Sequence, residues 1–364
     1  MVKSVGVIGG GQLAWMMAIA AQELKIPLTA LATPKDLVAA TATHMVGTIG
    51  QLAQCCDVIT FENEFVDLAV LEAVQADFVP GLGTLMRLVD KLYQRHELTE
   101  ILIPVPQFAA YAPSFDLTPW SLPVVLKARR HGYDGKGTAI VDQGDCLQAA
   151  WQSLGSVPCL VESWVDYEKE LAVMVARNAL GEVCVFPVVE TEQVQQVCHR
   201  VIAPARIAPE LTDKVQAIAR QMVDYWDAVG VFGIEFFLLP NGRVLVNEIA
   251  PRTHNSGHYT IEGCHTSQFA QLLRVATGMP LGSSAMKVPV AVMVNLLGYE
   301  TATSDYAEQR RAIAQVPQTH IYWYGKRQAS RGRKLGHVTI TAPTHDEALS
   351  LAQRVEKLWY PEPC

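Results

Sequence analysis

No apolar run in this sequence approaches the roughly 18 to 20 residues of a membrane span, so neither a transmembrane helix nor a membrane partner is expected. No CxxC pair occurs. The eight cysteines lie far apart except for adjacent Cys55 and Cys56, a pattern of reduced thiols in a cytoplasmic protein and not of a zinc site or a disulfide scaffold. The apolar opening, Met1 to Gly11, breaks into glycines where a secretory signal would continue with small residues and a cleavage site. Charge is sparse, at 18% of residues, and its balance of −7 gives no global attraction to nucleic acid or anionic membrane. Internal repeats and low-complexity tracts are absent. What remains is a chain of 364 residues, 50% hydrophobic, long enough for two or three domains with cores of their own.

The opening of the chain alternates strand and helix. Ser4 to Ile8 is a short β-branched run, Gly9, Gly10 and Gly11 follow, and Gln12 to Leu24 carries apolar residues at helical spacing. Pro27 to Ala32 and Val58 to Phe61 read as further strands, and Asp67 to Gln75 as helix. Short connections between such elements imply a parallel, doubly wound sheet over roughly the first 100 residues. Helix is expected again over Asp90 to Glu100, ended by Pro104 and Pro106. Prolines 113, 119 and 123 then mark a domain entry. Pro123 to Ala128 and Thr138 to Val141 form a hairpin with a glycine-rich tip, followed by strands at Pro158 to Glu162 and Glu170 to Ala176. A helix is expected over Leu211 to Val229. Pro240-Asn241-Gly242 joins the strands Val231 to Leu239 and Arg243 to Ile249. Ser267 to Thr277 is helical, and the tail holds strands at Ile321 to Tyr324 and His337 to Thr341.

Several clusters along this frame can carry chemistry. The glycine run at 9–11 sits between a strand and a helix, where bare amides and the helix dipole favour an anion, although a ligand-free tight turn fits equally well. It is not a full G-x-G-x-x-G, and no acidic residue closes the second strand, so NAD is disfavoured. Lys127 ends a strand just before His131-Gly132-Tyr133-Asp134-Gly135-Lys136-Gly137, whose glycines allow backbone amides to close over phosphates. Glu235 and Glu248 fall on the two arms of the 240–242 hairpin, with Asn247 adjoining. Carboxylates are expensive in strands this apolar, and two of them across adjacent strands form a hard-oxygen site suited to Mg²⁺ between protein and nucleotide phosphates. Ala250 to His258 follows directly as a donor-rich loop. There Arg252 offers a planar fork for bicarbonate and His254 an orienting or proton-moving ring. Lys326, Arg327, Arg331, Arg333 and Lys334 form either a phosphate site or a solvated basic turn. They lack the repeated aromatics of a nucleic-acid platform.

Taken in order, GGGQL at 9–13, FENE at 61–64, GYDGKG at 132–137, GVFGIEFF at 230–237, NEIAPRTHNSGHYTIEGC at 247–264 and GKRQASRGRKLGHV at 325–338 resemble the 5-(carboxyamino)imidazole ribonucleotide synthase family over nearly the whole chain. These are ATP-grasp enzymes of purine biosynthesis. The resemblance implies an α/β chain with an N-terminal Rossmann-like domain over 1–100, a small ATP-grasp lid over 101–177 and a large ATP-grasp domain over 178–364. It implies ATP and Mg²⁺ as cofactors, 5-aminoimidazole ribonucleotide and bicarbonate as substrates, and a homodimer. Lys91 and Lys127 would touch ATP phosphates, with Gly132, Tyr133, Asp134, Gly135, Lys136, Gly137 and Thr138 closing over them. Glu162, Ser163, Trp164 and Val165 would form the adenine hinge, with Glu170 on the ribose and Gln193 near the nucleotide. Glu235 and Glu248 would hold the metal beside Asn247. Arg252, His254 and Asn255 would surround bicarbonate and its phosphorylated form. Tyr133, Asp134 and Glu62 would approach the aminoimidazole, and Lys326 and Arg333, helped by Gln12 and Leu13 of the first turn, would grip the ribonucleotide phosphate.

The chain departs from the family pattern at a few positions. Ala14-Trp15 stands for a usual Gly-Arg, Thr253 for a usual proline, and Gln193 with Gln195 to Cys198 for a usual Asn/Asp-Gly-Ile turn. Ala270 and Leu272 replace polar residues on a helix. None of these removes a metal ligand. Two other functions compete with the family reading: an ATP-grasp ligase for an amino acid or biotin, and a non-catalytic nucleotide-binding subunit.

Overall fold

The computed structural model describes residues 2–132 and 137–360, apart from the side chain of Asp145. Tyr133, Asp134, Gly135 and Lys136 of the expected flap lie outside the described residues. The chain begins with strand β1 (Val5–Ile8), helix α1 (Gln12–Leu24) and strands β2 (Leu28–Leu31), β3 (His44–Val46) and β4 (Val58–Phe61). They build a four-stranded parallel sheet in the order β3-β2-β1-β4. The central strand carries Val5 and Val7 fully buried, the helix-covered pattern of a parallel sheet. α1 turns its Ala14, Met17, Ala18 and Ala21 into the same core.

Helix α2 (Lys91–Glu100), capped by the Asp90 carboxylate, leads to a second sheet. Strands β5 (Phe108–Ala110), β6 (Val124–Ala128), β7 (Thr138–Val141) and β8 (Cys159–Ser163) pair antiparallel in the order β5-β8-β6-β7. β6 alternates buried Val124, Leu126 and Ala128 with Val125 and Lys127, so period-2 geometry turns these last two to the opposite face.

The third sheet is the largest. Its main strands are β9 (Lys169–Arg177), β10 (Val189–Val194), β11 (Val197–Ala203), β12 (Gly230–Leu238), β13 (Val244–Ala250), β14 (Val290–Leu297), β15 (Thr319–Trp323) and β16 (Lys334–Ala342), and a short strand at Val183–Val185 pairs with β9 off the main path. They pair antiparallel in the order β13-β12-β9-β10-β11-β14-β16-β15. Helix α3 (Pro209–Tyr225) lays Val215, Ile218, Ala219, Met222 and Val223 on one part of this sheet, against Val173, Val175 and Phe232. Helix α4 (Gln268–Thr277) sits between it and α1 of the first sheet, in one continuous core. Helix α5 (His345–Trp359) covers β14 and β16 with Ala348, Ala352, Val355 and Trp359.

α3 starts and stops earlier than its hydrophobic spacing suggests. Pro209 opens it at the first helical position, where a missing N–H costs nothing. It ends at Tyr225, and Asp227 turns into the left-handed region at φ 50°. Arg177 pairs with both Asp224 and Asp227 across that exit. Among the described residues no helix is long and apolar enough to cross a membrane.

Candidate active site

The three sheets converge on one cavity of about 610 Å³. Its floor is the β12–β13 hairpin. The register of that pair places Glu235 directly opposite Glu248, and the pairing slips by one residue just beyond. Two carboxylates held face to face cannot both be charged cheaply. Burial and the neighbouring charges of Glu248 and Glu170 push Glu235 up to about 8. Glu248 is driven the other way: burial would raise it, but Lys91, whose Nζ lies 2.5 Å from Oε1, keeps its carboxyl below the usual range.

Next to this pair lies a buried ion cluster. Glu162 accepts from Arg95 Nε at 2.6 Å and faces Lys127 Nζ at 2.7 Å. Burial works against its charge, yet the two cations outweigh it and hold the carboxyl at about 2. Lys127 also donates to Asn247 Oδ1 at 3.1 Å, and Arg95 to the Asn247 carbonyl at 2.5 Å. Strand β13, strands β6 and β8 of the second sheet, and α2 are thereby tied at one point. Beyond them Val125, Ile140, Trp164, Val165, Tyr167 and Phe237 form an apolar slot, in which the rings of Tyr167 and Phe237 stack at 4.8 Å. A planar aromatic base fits such walls.

The opposite end of the cavity is built by the first sheet and by the loop after β13. The glycine turn before α1 does bind an anion, but that anion is the protein's own. Glu62 accepts from the Gly11 amide at 2.7 Å and the Leu13 amide at 3.2 Å. A Cβ on Gly9 or Gly11 would overlap this carboxylate, which explains the glycines without a bound phosphate. Burial nevertheless leaves Glu62 above the usual range for a carboxyl. Arg252 forms a two-pronged pair with Glu64, with Nη2 to Oε1 at 3.1 Å. That attraction overcomes burial and lowers the Glu64 carboxyl. His254 Nε2 lies 3.8 Å from Glu235 Oε1, and its Nδ1 lies 2.9 Å from Ser256 Oγ.

Most residues singled out in the sequence meet here. Gln12, Leu13, Glu62, Lys91, Lys127, Gly132, Thr138, Glu162 to Val165, Glu170, Gln193, Glu235, Asn247, Glu248, Arg252, His254 and Asn255 all line the cavity. Gly137, Lys326 and Arg333 are not among its lining residues. Lys326 Nζ donates to the Lys334 carbonyl at 2.8 Å and sits over the Tyr324 ring, and Arg333 Nη1 donates to the Gln328 carbonyl at 2.7 Å. From that basic turn it is Lys334, the first residue of β16, that lines the cavity. Sequence reasoning also passed over Arg95 and Glu64. Arg95 stands four residues after Lys91 on one helix, a spacing that puts both on one face. Glu64 stands two residues after Glu62, and nothing in the sequence alone pairs it with a residue 188 positions away.

Comparison with known proteins agrees with this arrangement. Residues 96–269 match the ATP-grasp domain, residues 2–81 the ribonucleotide synthetase preATP-grasp domain, and residues 291–351 the phosphoribosylaminoimidazole carboxylase C-terminal domain. The N5-carboxyaminoimidazole ribonucleotide synthase of Synechococcus elongatus is 48% identical, over 98% of this chain and 96% of that protein. That of Mycobacterium tuberculosis is 37% identical, over 97% and 86%. Among solved structures, carboxyaminoimidazole ribonucleotide synthase from Aspergillus clavatus complexed with ATP superposes with a TM-score of 0.92 at 33% identity, covering 98% of each chain. A complex from the same fungus with ADP and 5-aminoimidazole ribonucleotide gives 0.91, again at 33% identity and 98% of each chain. Identity of this extent along nearly the full length, on the same three-sheet frame, places the chain in the N5-carboxyaminoimidazole ribonucleotide synthase family of ATP-grasp proteins.

Proposed function

We propose that this chain uses ATP to carboxylate the exocyclic amine of 5-aminoimidazole ribonucleotide with bicarbonate, giving 5-(carboxyamino)imidazole ribonucleotide, ADP and phosphate in purine biosynthesis. The observation that carries this reading is the opposed pair Glu235 and Glu248 at the floor of the cavity. On one side stand Lys91 and Lys127, on the other the Arg252–His254–Asn255 loop. Two opposed carboxylates that cannot both be charged without a cation, with an amide oxygen beside them, fit Mg²⁺. When bound, the metal would offset charge on the transferring phosphoryl group.

The chain's own groups supply the rest. The apolar slot and the 162–165 backbone take the base, and Glu170 is placed for the ribose. Lys91 and Lys127 lie where the phosphates enter and exchange their present carboxylate partners for phosphate oxygens. Arg252 keeps Glu64 on one edge of its guanidinium and presents its remaining donors to bicarbonate. Attack of a bicarbonate oxygen on the γ-phosphorus breaks the bond to ADP and yields carboxyphosphate, which carries a good leaving group. The amine then forms the C–N bond as the C–O bond to phosphate breaks, or captures CO₂ once that bond has broken, and in either case passes one N–H proton to the released phosphate. Carboxyphosphate is short-lived in water, so water has to be excluded from the cavity before transfer. Lys334, with Lys326 and Arg333 behind it, supplies the charge for a ribonucleotide phosphate, and Glu62 faces the imidazole.

This division of labour also sets the domain limits. Strand β9 belongs to the large sheet, so we draw the boundary between lid and large domain within 164–168. We further propose a cytoplasmic homodimer; a light-scattering mass equal to one chain would remove the dimer. The reaction itself is tested by phosphate release from ATP and bicarbonate across a substrate panel. Release with 5-aminoimidazole ribonucleotide, and not with amino acids or biotin, is expected. Release with any of the others in its place would assign the chain to a different ATP-grasp ligase.

A further inference from the structure

The Arg252–His254–Asn255 loop is not rigid by its own sequence: Thr253 lacks the ring that would fix its φ, and its buried hydroxyl has no hydrogen-bond partner among the described residues. Two fully buried amides from other elements hold the loop instead. Gln268, first residue of α4, accepts from the His254 N–H at 2.8 Å and donates to the His254 carbonyl at 2.8 Å. A backbone N–H can only donate and a carbonyl can only accept, so these two bonds fix the orientation of the amide. The second Nε2 hydrogen then reaches His258 Nδ1 at 3.2 Å, which must accept it. Gln268 is itself held by the Thr260 hydroxyl, which accepts its backbone N–H at 2.9 Å. Gly257 is glycine because a Cβ there would overlap the Gln268 amide. On the other side, Asn295 of β14 pairs reciprocally with Asn255, at 3.0 and 2.7 Å, and donates its second hydrogen to the Cys198 carbonyl at 2.9 Å. Asn255 is left with one amide hydrogen and one oxygen lone pair for the cavity.

We propose that Gln268 and Asn295 are positioning residues for the reaction: they fix His254, His258 and Asn255, and so set where bicarbonate sits, without touching substrate themselves. Neither residue lines the cavity, and both are 0% exposed. The inference rests on the reading that this loop receives bicarbonate.

Loss of a satisfied buried amide leaves its partners unpaired and loosens the loop, but does not reach the nucleotide slot. Gln268→Met and Asn295→Leu are therefore expected to raise KM for bicarbonate by about tenfold, with KM for ATP unchanged within about twofold. Gln268→Glu adds a readout that a purely structural role would not move. As the neutral acid it can still accept from His254 N–H and donate to the His254 carbonyl; as the carboxylate it can only accept. Its KM for bicarbonate, compared with wild type at the same pH, should fall toward the wild-type value as pH is lowered. This variant also serves if the apolar replacements fail to fold. Equal shifts in both KM values, no shift in either, or a pH-independent Gln268→Glu profile would overturn the inference. A wild type that releases no phosphate with bicarbonate and the ribonucleotide would sink the functional reading as well, whereas a working wild type with unaltered variants sinks this inference alone.

Discussion

Glu235 is the residue on which the electrostatics of the cavity turn. Its carboxyl is raised to about 8 by burial and by facing Glu248 and Glu170, whereas Glu248 keeps its charge through Lys91. In cation-free solution the folded protein thus holds a proton on Glu235 that the unfolded chain releases near its ordinary 4.5. Stability from this group is complete below that value and is lost as pH rises toward about 8, with a slope of at most ~1.4 kcal/mol per pH unit. Glu235→Gln removes the titration. Urea midpoints measured in EDTA across this range should fall with pH more steeply for wild type than for the variant, and added Mg²⁺ should flatten the wild-type curve. Parallel curves would mean that Glu235 ionises without penalty and that no cation is needed there. The opposition of this pair was legible in the sequence, because carboxylates stand out in strands as apolar as β12 and β13 and the hairpin turn sets them across from each other. The separation of their titration was not, because it depends on Lys91, 157 positions before Glu248.

At the scale of elements, the β10–β11 hairpin shows what a departure from a favoured turn does to the backbone. Gln195 and Gln196 both adopt positive φ, 51° and 64°, in the two-residue turn between Val194 and Val197. That geometry suits Asn-Gly; a side chain with a Cβ in the left-handed region costs roughly 1 kcal/mol. Gln196→Gly should raise the denaturation midpoint by an amount equivalent to about 1 kcal/mol, less what glycine adds to the entropy of the unfolded chain. An unchanged or lowered midpoint would show the turn to be unstrained. Elements with a clear period or a capping residue could be read from the chain alone. α1 and β4 fall on their expected limits, and the helices begun by Asp90 and Ser267 follow those caps. β14 is different. Val290–Leu297 is buried at every position, so its apolar run has no period to separate strand from helix. α5 shows the reverse case: Thr344 caps it and its apolar stripe is regular, yet that pattern alone does not say that β14 and β16 lie beneath it.

At the scale of the whole molecule, the site exists because three sheets are brought to one point, and that convergence is what local sequence cannot express. The cavity-lining residues of the second sheet and of the β12–β13 hairpin lie in or beside the strands that present them, so local motifs pick them out. The contacts that bind distant segments at the site do not announce themselves: Arg95 with Glu162, Glu64 with Arg252, and Asn255 with Asn295 span 67, 188 and 40 positions. The glycine turn at 9–11 reads equally well as an anion site or as a ligand-free tight turn, and the structure fills it with the Glu62 carboxylate. The basic turn reads as a phosphate site or a solvated turn, and the resemblance implies Lys326 and Arg333 as the grip; of these residues it is Lys334 that lines the cavity.

The central claim is that ATP activates bicarbonate by phosphoryl transfer inside this cavity. It is tested most directly by supplying ¹⁸O-labelled bicarbonate with ATP and 5-aminoimidazole ribonucleotide and analysing the inorganic phosphate by mass spectrometry. If bicarbonate attacks the γ-phosphorus and the C–O bond breaks afterwards, each phosphate carries one oxygen derived from bicarbonate. Phosphate formed at the rate of product but free of label would contradict the account, because the oxygen would then have come from water.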